Sequence, residues 1–118
     1  GKQFRPTIHI DDLNSIYIHF IKKNIKPGIY NAGFENISIE KIAKKIAKKI
    51  NCKIVYTKTN DIRSYRLDSS KLIATKFKPK FNIDYAVNQI IEKNNKRELK
   101  VLDSSYTVKW MKKLKLDK

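Results

Sequence analysis

Between Ser38 and Asn51, the residues Ile39, Ile42, Ala43, Ile46, Ala47 and Ile50 recur at intervals of three or four. That spacing lays a single apolar stripe along three turns of helix. Lys41, Lys44, Lys45, Lys48 and Lys49 fall on the polar side, and Ser38 stands where a helix N-cap belongs. A helix of this kind is not stable alone in water; it has to lay its stripe on a second layer, expected here to be a sheet. Each large side chain covered in this way contributes about 1.5–3 kcal/mol. The chain has 118 residues, 41% of them hydrophobic, which is enough for one compact layered domain and short for two.

The rest of the chain predicts short elements around that helix. Residues 5–10 are β-rich and end at Asp11-Asp12, a helix cap before it is an acid/base pair. Leu13, Ile16, Tyr17, Phe20 and Ile21 then carry a helical period that stops before Pro27-Gly28. Residues 29–32 read as a strand with Gly33 supplying a turn, and residues 53–57 as a half-buried strand with Ile54 and Tyr56 on one face. Ser69 or Ser70 is placed to cap a short helix that Lys78-Pro79 breaks, and Asp84 to cap another with Ala86, Val87, Ile90 and Ile91 inside. Tyr106, Val108, Trp110, Met111 and Leu114 predict a last short helix docked on the body. The fold class expected is α/β: a small mixed domain of short strands and amphipathic helices.

Composition removes several function classes. The apolar runs are only a few residues long, so no segment is expected to span a membrane. No leader is read at the amino end, where residues 1–5 run straight into strand-like sequence. Cys52 is the only cysteine, which excludes an internal disulfide and an all-cysteine zinc site and fits a reducing cytoplasm. His9 and His19 lack companions at metal-ligand spacing, and Cys52 has no neighbouring base. A net charge of +16 suits a nucleic-acid binder. Lysines gathered on the polar side of one helix equally suit a solvated face, and the aromatics fall mostly at apolar helix or strand positions. Specific nucleic-acid binding is therefore the alternative reading and not the first.

Four patches, in order, resemble the second half of the extended short-chain dehydrogenases/reductases, the NAD-dependent epimerase/dehydratase family. They are Arg5-Pro6-Thr7-Ile8-His9-Ile10-Asp11-Asp12-Leu13, Ile29-Tyr30-Asn31-Ala32-Gly33, Ser38-Ile39-Glu40-Lys41-Ile42-Ala43, and Asp61-Ile62-Arg63-Ser64-Tyr65-Arg66-Leu67-Asp68-Ser69-Ser70-Lys71. Phe77-Lys78-Pro79 is similar to the motif that closes the last patch, with Lys76 where the family usually has glycine. The resemblance covers about residues 4–91 and leaves 92–118 as a tail.

This resemblance implies a carboxy-terminal, nucleotide-sugar-binding lobe lacking most of the Rossmann domain. The family holds NAD or NADP on a Gly-x-x-Gly-x-x-Gly turn, and the glycines here stand only at 1, 28 and 33. Its catalytic Tyr-x-x-x-Lys is also missing, since none of the six tyrosines has lysine four residues on. The chain alone is expected to be inactive and to carry no cofactor; the partners implied are a nucleotide-sugar and a Rossmann lobe supplied elsewhere. Within the matched patches the resemblance gives Arg5 to the substrate pyrophosphate, Asp61 to ribose hydroxyls and Tyr65 to the sugar pocket. Lys58 stands where an arginine is usual, which keeps the charge and loses the bidentate fork. A non-catalytic interaction module built on the same lobe is a third possibility.

Overall fold

The computed structural model describes residues 1–58, 60 and 62–115. Among them are five α-helices, one short 3-10 helix and a two-stranded antiparallel sheet, a small mixed α/β arrangement. The chain divides into two compact units, Gly1–Asn88 and Gln89–Lys118. No helix is long and apolar enough to cross a membrane among the described residues.

In the first unit, strand β1 (Phe4–Thr7) pairs with β2 (Glu35–Ser38) in the register Phe4↔Ser38, Arg5↔Ile37, Pro6↔Asn36 and Thr7↔Glu35. Helix α1 spans Ile10–Lys23 and α2 spans Ile39–Ile50. Helix α3 covers Ser70–Ala74, and α4, Ile83–Asn95, begins in this unit and runs on into the second. The core gathers Ile16 of α1, Leu72 of α3 and Phe77, with Ile8, Phe20, Tyr30, Ala32 and Phe34 packed around them. Phe34 stacks on Phe77, and Phe20 meets Tyr30 edge-on. The second unit holds the 3-10 helix Asp103–Ser105 and α5 (Thr107–Lys113), the short helix expected in the tail.

Several expectations need correcting. The first strand ends at Thr7, and His9 is the N-cap of α1: its Nδ1 accepts the Asp11 N–H at 3.2 Å. Asp12 is no cap. It is fully buried, and its carboxylate accepts the N–H groups of Lys80 and Phe81 at 3.0–3.1 Å, stapling the segment after Pro79 to α1. Tyr17 and Ile21, expected on the inner face, are exposed, because the buried face of α1 is centred on Ile16.

Neither predicted strand at residues 29–32 or 53–57 forms; the strand in this part of the chain is β2, which starts six residues later than the first of them. A strand needs a neighbour, and β1 takes Glu35–Ser38.

Ser38 does cap α2, accepting the Lys41 N–H at 3.2 Å. The stripe of α2 is only partly covered: Ile42, Ala43, Ile46 and Ala47 are half-buried, whereas Ile39 and Ile50 are exposed. Two strands of four residues are too little sheet for a twelve-residue helix. Its lysines are not simply solvated. Lys45 pairs with Asp84, Lys49 donates to Asn88 at 2.6 Å, and Lys44 pairs with Glu40 at 2.7 Å. Asp84 is thereby taken from the capping role, and Asn82 Oδ1 accepts the Tyr85 N–H instead.

Candidate functional site

The residues that matter converge along the free edge of β1. Arg5 is half-buried, and its Nη1 donates to the carbonyls of Phe4 (2.8 Å) and Arg63 (2.7 Å). Those two bonds hold the guanidinium over the Tyr65 ring, 4.8 Å from its centre. On the neighbouring residue pair the order reverses: Arg66 lies 3.7 Å over the Phe4 ring. Residues 63–66 are exposed, Arg66 among them. Cation–π stacking fixes the planes of the two guanidiniums.

The sequence-predicted residues divide accordingly. Arg5 and Tyr65 are brought together. Lys58 is exposed, and no hydrogen bond or ion pair holds it among the described residues. Asp61 lies outside the described residues. Phe4 and Arg66 complete the cluster without having been assigned a role. A signal for Arg66 existed: the chain has 23 lysines and four arginines, and two of those arginines, at 5 and 66, stack on rings here, beside the backbone of a third at 63. Arginine kept against so strong a lysine preference marks positions where a planar donor fork matters.

Beside Arg5 opens a groove of about 300 Å³ lined by Gln3, Arg5, Glu40, Ala43, Ile54 and Tyr56, among others. On its wall the Glu40 carboxylate accepts from Lys44 and from the Tyr56 hydroxyl (3.2 Å). Lys44 first, and then Tyr56, hold the Glu40 carboxyl below the usual carboxylate range. The groove therefore presents a carboxylate at one point and the Arg5 guanidinium at another, an arrangement suited to a ligand with both hydroxyl and anionic groups.

The segment carrying Tyr65 and Arg66 is anchored at both ends. Phe4 N–H donates to Ser64 Oγ (3.0 Å), and Tyr65 N–H donates to the Phe4 carbonyl (3.3 Å). Further on, the buried Ser69 hydroxyl both accepts from Gly33 N–H and donates to Gly33 C=O, each at 3.0 Å. Gly33 serves close approach and not a turn: a Cβ there would stand 2.8 Å from Pro6 Cβ and 3.3 Å from Leu67 Cδ1.

The first turns of the two long helices of the first unit, α1 and α2, carry their own local partners. Helix α1 opens with a histidine cap, Asp11 and Asp12, and α2 with a serine cap and Glu40. In α1 the Asp11 N–H goes to the His9 ring; in α2 the Ile39 and Glu40 N–H groups go to the Gln3 and Gly1 carbonyls and the Lys41 N–H to Ser38, and acidic first turns disfavour a pyrophosphate at these ends. Among the described residues no cluster of His, Cys, Asp or Glu is arranged to hold a metal ion. Compared with protein-family models, curated proteins and solved structures, the chain matches none.

Proposed function

We propose that this chain is the nucleotide-sugar-binding lobe of an NAD(P)-dependent epimerase or dehydratase of the extended short-chain dehydrogenase type, completed by a cofactor-binding lobe that it does not itself contain. The observation that carries this reading is the stacking of Arg5 on Tyr65 beside that of Arg66 on Phe4. Residues taken from two of the resembling patches meet there, with the Arg63 carbonyl holding Arg5. Arg5 and Arg66 address the diphosphate, Tyr65 offers its ring to the sugar, and Asp61 takes the ribose hydroxyls. Lys58 adds charge without a fixed geometry. NAD or NADP belongs to the other lobe, and this chain alone neither binds it nor turns over substrate.

Calorimetric titration with uridine- and thymidine-diphosphate sugars tests the reading. Arg5→Ala is expected to weaken binding by about 1.5–3 kcal/mol, the range of a hydrogen bond to a charged group, and Asp61→Ala by less. Equal affinity for Arg5→Ala and wild type contradicts it.

One observation favours a second reading, a basic single-stranded nucleic-acid-binding domain. Tyr17, Tyr56, Tyr65 and Tyr85 are 45–63% exposed, against the expectation that aromatics sit at apolar positions. Exposed rings beside cations are the stacking platforms such domains use. Oligonucleotide binding that survives physiological salt, and that is not displaced by a nucleotide-sugar, decides for this alternative.

A further inference from the structure

Residues 63–67 belong to no strand, yet they lie along β1 in a defined register. In an antiparallel ladder a residue's N–H and C=O leave on the same side, and alternate residues face opposite sides. Gln3 and Thr7 use their carbonyls on the β2 side, accepting from Ile39 (3.1 Å) and Phe34 (2.9 Å). Phe4 uses both its groups on the other side, toward Ser64 and Tyr65. Pro6, two residues on, faces that same edge and has no N–H to offer. Leu67 and Pro6 crowd the same point beside Gly33, so the place where a ladder would continue lacks its donor.

Asn36 fills the gap. It pairs with Pro6 across the β1–β2 register, and its carboxamide makes a two-bond peptide-like pair with Leu67: Nδ2 donates to the Leu67 carbonyl and Oδ1 accepts the Leu67 N–H, both at 3.0 Å. We infer that Asn36 is the positioning residue of the arginine cluster. Its Nδ2 gives the Leu67 carbonyl the donor that Pro6 lacks, its Oδ1 takes the Leu67 N–H, and the pair so fixes the register in which Tyr65 lies under Arg5 and Arg66 over Phe4. Asn36 touches no ligand in this scheme. The inference rests on the anion-binding reading for its functional consequence, while the position of the segment is readable without any ligand.

The experiment compares wild type, Asn36→Ala and Asn36→Asp. Amide hydrogen exchange is followed by NMR, and inorganic pyrophosphate is titrated into each chain. Asn36→Ala is expected to speed exchange at Leu67 on the order of tenfold, as for loss of two ordinary hydrogen bonds, and to weaken pyrophosphate binding to a similar degree. Exchange within α1 stays unchanged. Asn36→Asp keeps the acceptor for the Leu67 N–H and falls between. Rescue by Asn36→Asp, which restores only the acceptor, separates loss of this pair from a general loosening of the strand. Wild-type exchange at Leu67 in Asn36→Ala overturns the inference, as does an Asn36→Asp variant no better protected at Leu67 than Asn36→Ala. If wild type binds no pyrophosphate, the functional reading fails, and exchange at Leu67 still decides whether Asn36 positions the segment.

Discussion

The Arg5 guanidinium lies 4.8 Å from the centre of the Tyr65 ring, although 60 positions separate the two in sequence. Arg5 is fixed there by the Arg63 carbonyl, so its charge is both stacked and hydrogen-bonded before any ligand arrives. Arg5→Lys keeps the charge and cannot hold two carbonyls and a ring in one plane. It is expected to recover less than half of the binding free energy lost in Arg5→Ala, measured by the same calorimetric titration. Full recovery in Arg5→Lys would mean that charge alone matters.

Asp12 is the most consequential buried polar group. Its carboxylate satisfies the N–H groups of Lys80 and Phe81 with no exposure to solvent. Asp12→Ala removes the acceptor of both part-buried donors and is expected to cost about 2–4 kcal/mol, the range for losing hydrogen bonds to a charged group. Asp12→Asn, which keeps one acceptor oxygen, costs less. Urea denaturation of the two variants checks the order.

Two serine caps should behave differently. Ser38 gives its hydroxyl to α2, and Ser38→Ala is expected to cost about 1 kcal/mol, the usual worth of an N-cap. Ser69 also precedes a helix, but it makes no cap bond there and spends its hydroxyl on both backbone groups of Gly33. Ser69→Ala leaves two buried backbone groups unpaired and costs more, about 2–3 kcal/mol. Chemical denaturation of the two alanine variants gives the comparison directly.

The Ser70 hydroxyl, and then its backbone N–H, hold the Asp68 carboxyl below the usual carboxylate range. A carboxyl lowered on folding contributes stability that is present above its unfolded pKa and is lost as pH falls through the folded value. Ser70→Ala removes the larger cause, so the Asp68 pKa rises toward the ordinary range. The stability gap between wild type and Ser70→Ala is then present at neutral pH and closes in acid. An NMR titration of Asp68 together with denaturation across pH follows both, and a gap that widens in acid contradicts the assignment.

How far the sequence could be read depended on whether the deciding interaction was local. Helix α2 and its Ser38 cap were legible, because stripe and cap lie within a few residues of each other. The strand segments at 29–32 and 53–57 were misread. Alternation and β-branching mark a residue as able to extend, and pairing partners are set by the rest of the fold. Glu35 and Asn36 have poor strand propensity, yet they pair because β1 lies beside them. The roles of Asp12 and Asn36 were invisible for the same reason: their partners, Lys80 and Leu67, are 68 and 31 positions away. In the site, Arg5 and Tyr65 could be named from the patches. The Arg66–Phe4 stack could have been suspected from arginine's scarcity, but it needed the register of residues 63–67 against β1.

The claim at the centre of this account is that Arg5 and Arg66, stacked on Tyr65 and Phe4, form one surface for a nucleoside diphosphate. With only four arginines, the guanidinium Nε–Hε signals of the chain are separately observable by NMR. During titration with a nucleoside diphosphate, the signals of Arg5 and Arg66 are expected to move together and fit one dissociation constant that is kept at physiological salt. Signals that follow different curves, that move only at low salt as a diffuse response of a +16 chain to any anion, or that do not move at all, would contradict the account.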